Sequence, residues 1–524
     1  MGMNKLSRLN YNVDNRNIFY IFILTMFIFS PNIFLYINFT HLLIIFFFVF
    51  LFSLLGLVSS RLYFLFSVPI VFLSVIFSHI YIHWGPYGIS SRLQAAMLSP
   101  TAETVEYLKT YLGLGDLVLI FYMIISLLLI YRYSKTEHKN CQLKKELVFL
   151  LLILTLSIFT IKNPLKGILP FNLPYMYIEA GDWVGKAKER MRFLKNSSHS
   201  ISEKNKMYYD RIVVVIGESA SRHHMSVYGY DKNTTPFFNS LKENNESLFL
   251  RGVSPANQTR FAIPMELTEA GMEDFEKFFH TYSIVSILKK AGYETYWISN
   301  QAKVGKYDTY VTTIANEAKY TMIENQNFGS SKPDSILLKK LSSVPLNDGK
   351  DAFFIHLMGS HFNYKDRYEQ EHTLFHQPRN IVEEYDNSIF YTDFVLKNIF
   401  RHFISKKEKT LFIYFSDHAE VVSPRKHGHG FLPPVREVFD VPLFIYSTAP
   451  DERFEKLKSR FSDNAAFVNL ESVYDIIMYL NGSDDSLSKI SSRNMVSASS
   501  PDNLVIYSTI EKFDPEKYKK EKKE

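Results

Sequence analysis

The 524-residue chain carries one cysteine, Cys141. A lone thiol excludes any intrachain disulfide, so nothing in this fold is stapled. No internal repeat is present, which excludes a solenoid or propeller. Basic patches interleaved with aromatics are also missing, and the net charge is only +6. Nucleic acid is therefore excluded as a partner, and the lysines from Lys517 to Lys523 read as a frayed, charged end.

What is present divides into two unlike halves. Hydrophobic residues make up 47% of the chain and aromatics 15%, yet the mean hydropathy is close to zero. The apolar residues crowd into five runs near 18–37, 42–58, 62–82, 112–131 and 147–161. About 20 apolar residues make a spanning helix, with about 17 as the lower limit. The first three runs meet that limit, the fourth does so by including Gly113 to Asp116, and the fifth is slightly short. The stretch FFFVFLF, from Phe46 to Phe52, is apolar on every side, unlike a surface helix of a soluble protein. Residues 1–161 are thus expected to form a five-helix transmembrane domain. The N-terminus and the segment from Arg132 to Lys145 are both basic and lie four spans apart, which places them in the cytoplasm. Everything after about residue 162 then lies outside, which means the periplasm if the cell is a Gram-negative bacterium.

Residues 162–209 form a linker broken by Pro164, Pro170 and Pro174. Within it, Ile178 to Leu194 has helical spacing among Lys and Arg, the pattern of an amphipathic helix that lies along a membrane surface. From 210 to 524, strand-like runs alternate with amphipathic ones. The strand candidates are Ile212–Ile216, Glu294–Ile298, Ala352–Leu357, Thr410–Phe415 and Val441–Ile445. That alternation predicts an α/β domain with a central, mostly parallel sheet.

The stretch from Arg211 to Tyr230, RIVVVIGESASRHHMSVYGY, organises this domain. A β-branched run stops at Glu218, and strand carboxyl ends are where α/β folds gather chemistry. Asp417-His418 follows another strand in SDHAE. His356 and His361 frame a third in HLMGSH, and His427 and His429 lie in RKHGHGF. Carboxylates and imidazoles at one sheet edge are the donor set that zinc selects. Two hydroxyls compete as nucleophile. Thr259 lies in SPANQTRFAIP, and Ser219 sits in Gly217-Glu218-Ser219-Ala220-Ser221, close to the G-x-S-x-G elbow of esterases but with serine in place of the second glycine. A metal-independent esterase using Ser219 is therefore the alternative on spacing.

Taken together, VVVIGES, SVYGYDKNTTP, NQTRFAIP, WISNQ, GKYDT, HLMGSH, YFSDHAE and HGHGF resemble, in order, the phosphoethanolamine transferases of the Gram-negative cell envelope. These belong to the sulfatase/alkaline phosphatase superfamily. The resemblance implies five N-terminal helices followed by a periplasmic sulfatase-like domain. It implies that Glu218, Thr259, Asp417 and His418 hold a catalytic zinc, with Thr259 as nucleophile. It places His361 and His429 toward the substrate phosphate or a second zinc, with His427 an alternative to His429, and gives Asn300 and Gln301 a part in shaping the site. Phosphatidylethanolamine is the implied donor, and the acceptor is lipopolysaccharide (lipid A or core), another surface polysaccharide, or a periplasmic glucan. The soluble part lacks cysteine, unlike the disulfide-rich lipid A members, and WISNQ and HLMGSH look closer to members that modify the lipopolysaccharide core, other surface polysaccharide or periplasmic glucans. The same lack argues against a sulfatase that converts cysteine to formylglycine. Ala419 stands where the family has glycine.

Overall fold

The computed structural model describes residues 15–35, 39–84, 112–135, 185–186, 188–196, 207–490, 495–499 and 504–508, omitting 243, 302–309, 325–331, 347–349, 405–407, 425–426, 431–434 and 462–466 within them. The chain divides into two compact units, one within residues 1–179 and one mainly from 180 onward.

In the first unit, four helices occupy four of the five expected runs: α1 (Asn15–Leu35), α2 (Phe39–Val58), α3 (Ser60–Trp84) and α4 (Leu114–Ser134). The fifth run, 147–161, lies outside the described residues. Ile21, Phe48, Val49, Tyr63, Val71 and Ile130 pack together inside the bundle. Other large apolar side chains point outward, among them Phe19, Leu65 and Phe121. Ser60–His79 and Leu114–Ser134 are long and apolar enough to cross a membrane, while Ile18–Pro31 and Ile45–Val58 are shorter apolar helices. The polar start of α4 has a local cause. Asp116 accepts from the Gly113 N–H at 2.8 Å, satisfying a donor that the helix leaves open. Its other oxygen meets His79 Nδ1 at 2.6 Å.

The second unit is built on an eight-stranded sheet in the order β10-β2-β9-β6-β1-β5-β3-β4. Its strands are β1 (Arg211–Gly217), β2 (Ser247–Val253), β3 (Glu294–Ser299), β4 (Tyr320–Ile323), β5 (Asp351–His356), β6 (Thr410–Ser416), β9 (Asp440–Ser447) and β10 (Phe467–Asn469). Only β9 runs against its neighbours, so the sheet is mostly parallel. A short ribbon, β7 (Val421–Val422) with β8 (His427–Gly428), stands apart from it.

The sequence of β1 shows why the sheet is covered on both sides. Ile212, Val214 and Ile216 join one hydrophobic cluster, while Val213 and Val215 join the other. Successive side chains alternate faces, so a run without polar residues must be buried twice. One face is covered partly by α6 (Thr259–Leu267) and α7 (Ile284–Lys290), and the other by the long α8 (Ile381–Ile404). Ahead of β1, helical residues 188–196 (α5) dock onto this unit through Arg190. That side chain is fully buried and meets Glu317 Oε1 at 2.6 Å.

Candidate functional site

Register brings the site together. Ile216 lies level with His356 and Gly217 with Ser416. Glu218, Leu357 and Asp417 therefore leave the sheet side by side, at its carboxyl edge. Thr259 arrives from elsewhere, on the first turn of α6, after a loop in which the Ser254 hydroxyl contacts the Asp417 carbonyl.

Four of the expected residues converge. Thr259 Oγ1 donates to Glu218 Oε2 at 3.0 Å and lies 3.2 Å from His418 Nε2. His418 Nε2 is 3.3 Å from Glu218 Oε1 and 3.5 Å from Asp417 Oδ2. Glu218, Asp417 and His418 are buried, and each offers a ligand atom within 4.8 Å of the others. Thr259 is half-buried.

The His429 ring lies tilted, its centre 4.1 Å from that of His418 and 5.9 Å from that of His361. Its Nδ1 is held by Glu420 Oε1 at 3.0 Å. His427 instead belongs to the β7–β8 ribbon, opposite Val422, so the ring against His418 is that of His429. Gln301 donates to the Leu357 carbonyl at 2.8 Å and reaches Glu218 Oε2 at 3.4 Å. Asn300 is buried and turned away, bonding Asp334 Oδ1 at 2.8 Å. His356, grouped with the ligand types by its place in HLMGSH, does not reach this cluster. As the last residue of β5 it is buried edge-on against Trp297, and burial pushes its imidazole down to about 3.

Several supporting residues were not legible in the sequence. Asp334 accepts from the Met358 and Gly359 N–H groups at 2.9 and 2.8 Å, fixing the turn after β5. Gly359 adopts φ +53°, and a Cβ there would lie 2.5 Å from the Glu218 carbonyl oxygen, so the two backbones meet where only glycine fits. Tyr385 donates to the Ser219 carbonyl at 2.6 Å and accepts from the Ser221 N–H at 2.8 Å, clamping the loop after β1. Glu420 is buried between His429 and the Tyr364 hydroxyl. It stands three residues past Asp417 in a motif already singled out, which is the one signal that pointed to it.

Ser219 lies in the left-handed region at φ 60° and is fully buried. Its hydroxyl donates to Glu218 Oε1 at 2.8 Å, a positioning contact rather than a serine–histidine pair. Ala419 has no positive φ, so its Cβ fits where the family's glycine stands.

Charge explains what this cluster lacks. Burial, then the charge of Asp417, pushes Glu218 up to about 8, and burial pushes Asp417 up to about 7. His418 is pushed down to about 4 by burial and then by His429, which keeps it in the neutral form that binds metals. No Lys or Arg pairs with either carboxylate among the described residues. Asp417 Oδ2 is buried with no hydrogen-bond partner among the described residues. Two carboxylates, a neutral imidazole and a hydroxyl around an unsatisfied oxygen fit a divalent cation, and the O/N donor set suits zinc.

A parallel sheet with β9 reversed and a carboxylate–imidazole cluster at its carboxyl edge defines a sulfatase/alkaline-phosphatase-like domain. Residues 210–470 match the Sulfatase family, which places this domain in the sulfatase superfamily. It is 30% identical over 259 residues to "Phosphoethanolamine transferase EptC" of Escherichia coli (strain K12), a match covering 45% of each chain. The chain thus spans about half the length of the curated relatives it matches. The zinc complex of the C-terminal periplasmic domain of EcEptC from Escherichia coli aligns with TM-score 0.51 and 24% identity, over 60% of this chain and 96% of that one. The integral membrane protein lipooligosaccharide phosphoethanolamine transferase A (EptA) of Neisseria meningitidis aligns with TM-score 0.62 and 15% identity, over 88% and 95%.

Proposed function

We propose that the protein is a membrane-anchored, zinc-dependent phosphoethanolamine transferase of a Gram-negative inner membrane, with its catalytic domain in the periplasm. It moves phosphoethanolamine from phosphatidylethanolamine to a cell-envelope glycan through an ester on Thr259. The observation that carries this reading is the Thr259 hydroxyl held 3.0 Å from Glu218 Oε2 and 3.2 Å from His418 Nε2. The names of the transferase relatives support the group transferred, and the apolar helices suit a lipid donor.

A zinc ion held by Glu218, Asp417, His418 and Thr259 would supply Lewis acidity toward the attacking hydroxyl and the phosphoryl oxygens. Glu218 Oε2 is in place to accept the Thr259 proton. The Thr259 oxygen attacks phosphorus, the bond from phosphorus to the glycerol oxygen breaks, and diacylglycerol leaves after taking up a proton. A hydroxyl or phosphate oxygen of the acceptor then attacks the same phosphorus, the bond from phosphorus to Thr259 Oγ1 breaks, and Thr259 recovers its proton. His361 and His429 are the imidazoles near enough to meet the transferring phosphoryl group, with Glu420 fixing the His429 ring. Gln301 orients Glu218, and Asn300 acts through Asp334 on the turn that packs against it.

The lipid A named for a curated relative supports a lipopolysaccharide acceptor, with another surface polysaccharide or a periplasmic glucan as the other acceptor classes. Incubating the full chain with phosphatidylethanolamine and mapping its peptides by mass spectrometry tests the mechanism. One phosphoethanolamine increment on the Thr259 peptide is expected. An increment on Ser219, or turnover with Thr259 unmodified, overturns it. The increment located on envelope glycans of cells with and without the gene identifies the acceptor.

A further inference from the structure

A groove of about 680 Å³ runs between α5 and α7, apart from the carboxylate cluster. Lys188, Arg192 and Lys195 line it from α5, spaced four and three residues apart, on one stripe of the helix. Lys289 and Lys290 line it from the last turn of α7. Those two have local explanations. Lys289 Nζ donates to the Glu317 carbonyl at 3.1 Å, and Lys290 Nζ lies 4.3 Å from the centre of the Tyr282 ring. The three on α5 are exposed and pair with no carboxylate among the described residues. The one acidic side chain in the lining, Glu317, is already spent. Arg190 takes its Oε1 at 2.6 Å, while Ser286 at 2.6 Å and Ser283 take its Oε2.

Like charges at these helical spacings oppose the helix unless an anion offsets them. Lysine and arginine together favour phosphate, the one as a point charge and the other as a planar fork. Met191 and Leu194 add apolar surface to the same groove, which suits the glycerol end of a lipid beside its phosphate. We propose that this groove binds phosphate groups, carried on a lipid headgroup or free in solution.

The test uses the full chain in neutral detergent, labelled with a limiting dose of an amine-acylating reagent and read lysine by lysine by mass spectrometry. Dioctanoyl phosphatidylglycerol, inorganic phosphate and dioctanoylglycerol are titrated separately. With the phosphatidylglycerol, Lys188, Lys195, Lys289 and Lys290 should lose reactivity saturably while the exposed Lys456, outside the groove, keeps its own. Arg192→Gln should raise the half-saturating concentration about fivefold, the effect of one cation at an anionic headgroup. Equal protection by inorganic phosphate identifies a free phosphate as sufficient, whereas protection by phosphatidylglycerol alone identifies the headgroup. Protection by dioctanoylglycerol to the same extent, or no difference between the groove lysines and Lys456, overturns the proposal.

Discussion

Asp417 and Asp440 are both buried in the same domain, and their surroundings could hardly differ more. Asp440, at the start of β9, meets Arg222 at 2.6 Å, Arg436 at 2.7 Å and His223 at 2.8 Å. Burial alone would raise its carboxyl, but Arg222, with His223 and Arg436, holds it well below the usual range. Asp417, just past the end of β6, has Glu218 for a neighbour and no Lys or Arg among the described residues, and burial carries it up to about 7. A carboxylate that arrives with its own counter-charges is architecture. One buried beside another carboxylate, with an oxygen left unsatisfied, is a site waiting for a positive partner.

That contrast can be broken at several points. The largest effect should come from Thr259→Ala, which leaves the Glu218, Asp417 and His418 donors in place and removes the proposed nucleophile. Transfer should fall by on the order of 10⁶-fold, as it does when a covalent nucleophile is deleted elsewhere, with thermal melting of the detergent-solubilised protein unchanged. Measurable transfer near the parent rate would place the nucleophile elsewhere.

Next come the two aspartates themselves. Asp440→Asn removes the charge that Arg222 and Arg436 share and should cost about 3–5 kcal/mol of stability, seen as a lower melting temperature. Asp417→Asn should abolish transfer, yet leave the metal-stripped protein no less stable than its parent, because it relieves repulsion with Glu218. The pH dependence carries the same sign. Because the folded Asp440 carboxyl lies below its unfolded value of about 3.9, its contribution is full above that pH and is lost as pH falls further. The acid limb of the melting curve should flatten in Asp440→Asn and keep its shape in Asp417→Asn.

Smaller effects should mark the supports. Gly359→Ala places a Cβ against the Glu218 backbone at a positive φ, and displacing that carboxylate by about 1 Å should cost on the order of 10²-fold in transfer. Gln301→Ala removes one orienting contact to Glu218 and should cost about tenfold, the worth of about 1.4 kcal/mol. A Gln301→Ala enzyme slower than Gly359→Ala would reverse the assignment of support and orienter.

Which features were legible follows from where their information lies. The strands β1, β3, β5, β6 and β9 are covered on both faces, so they read as runs rich in apolar and aromatic residues, and their expected ends lie within two residues of the observed ones. β2, β4 and β10 were missed. β2 carries an exposed Arg251 between its buried residues, and β4 and β10 are short edge strands. Glu218 and Asp417-His418 were legible because each follows such a run directly. Thr259 rested on resemblance, since its loop has no local pattern. Asp334, Gly359, Tyr385 and Tyr364 matter only through contacts with segments far along the chain, which neither periodicity nor spacing records. His356 and His361 share one short motif, and only the end of β5 separates the core imidazole from the one near His429.

The central claim is that a divalent cation supplies the charge that the Glu218–Asp417 cluster lacks and the Asp440 cluster does not. Metal analysis of the purified full chain, alongside Glu218→Gln/Asp417→Asn and Asp440→Asn variants, tests it most directly. Zinc should be bound to the parent and to Asp440→Asn, lost from the double variant, and needed for transfer after chelation. Full transfer by a chelated protein free of metal, or zinc retained in the double variant, would contradict it.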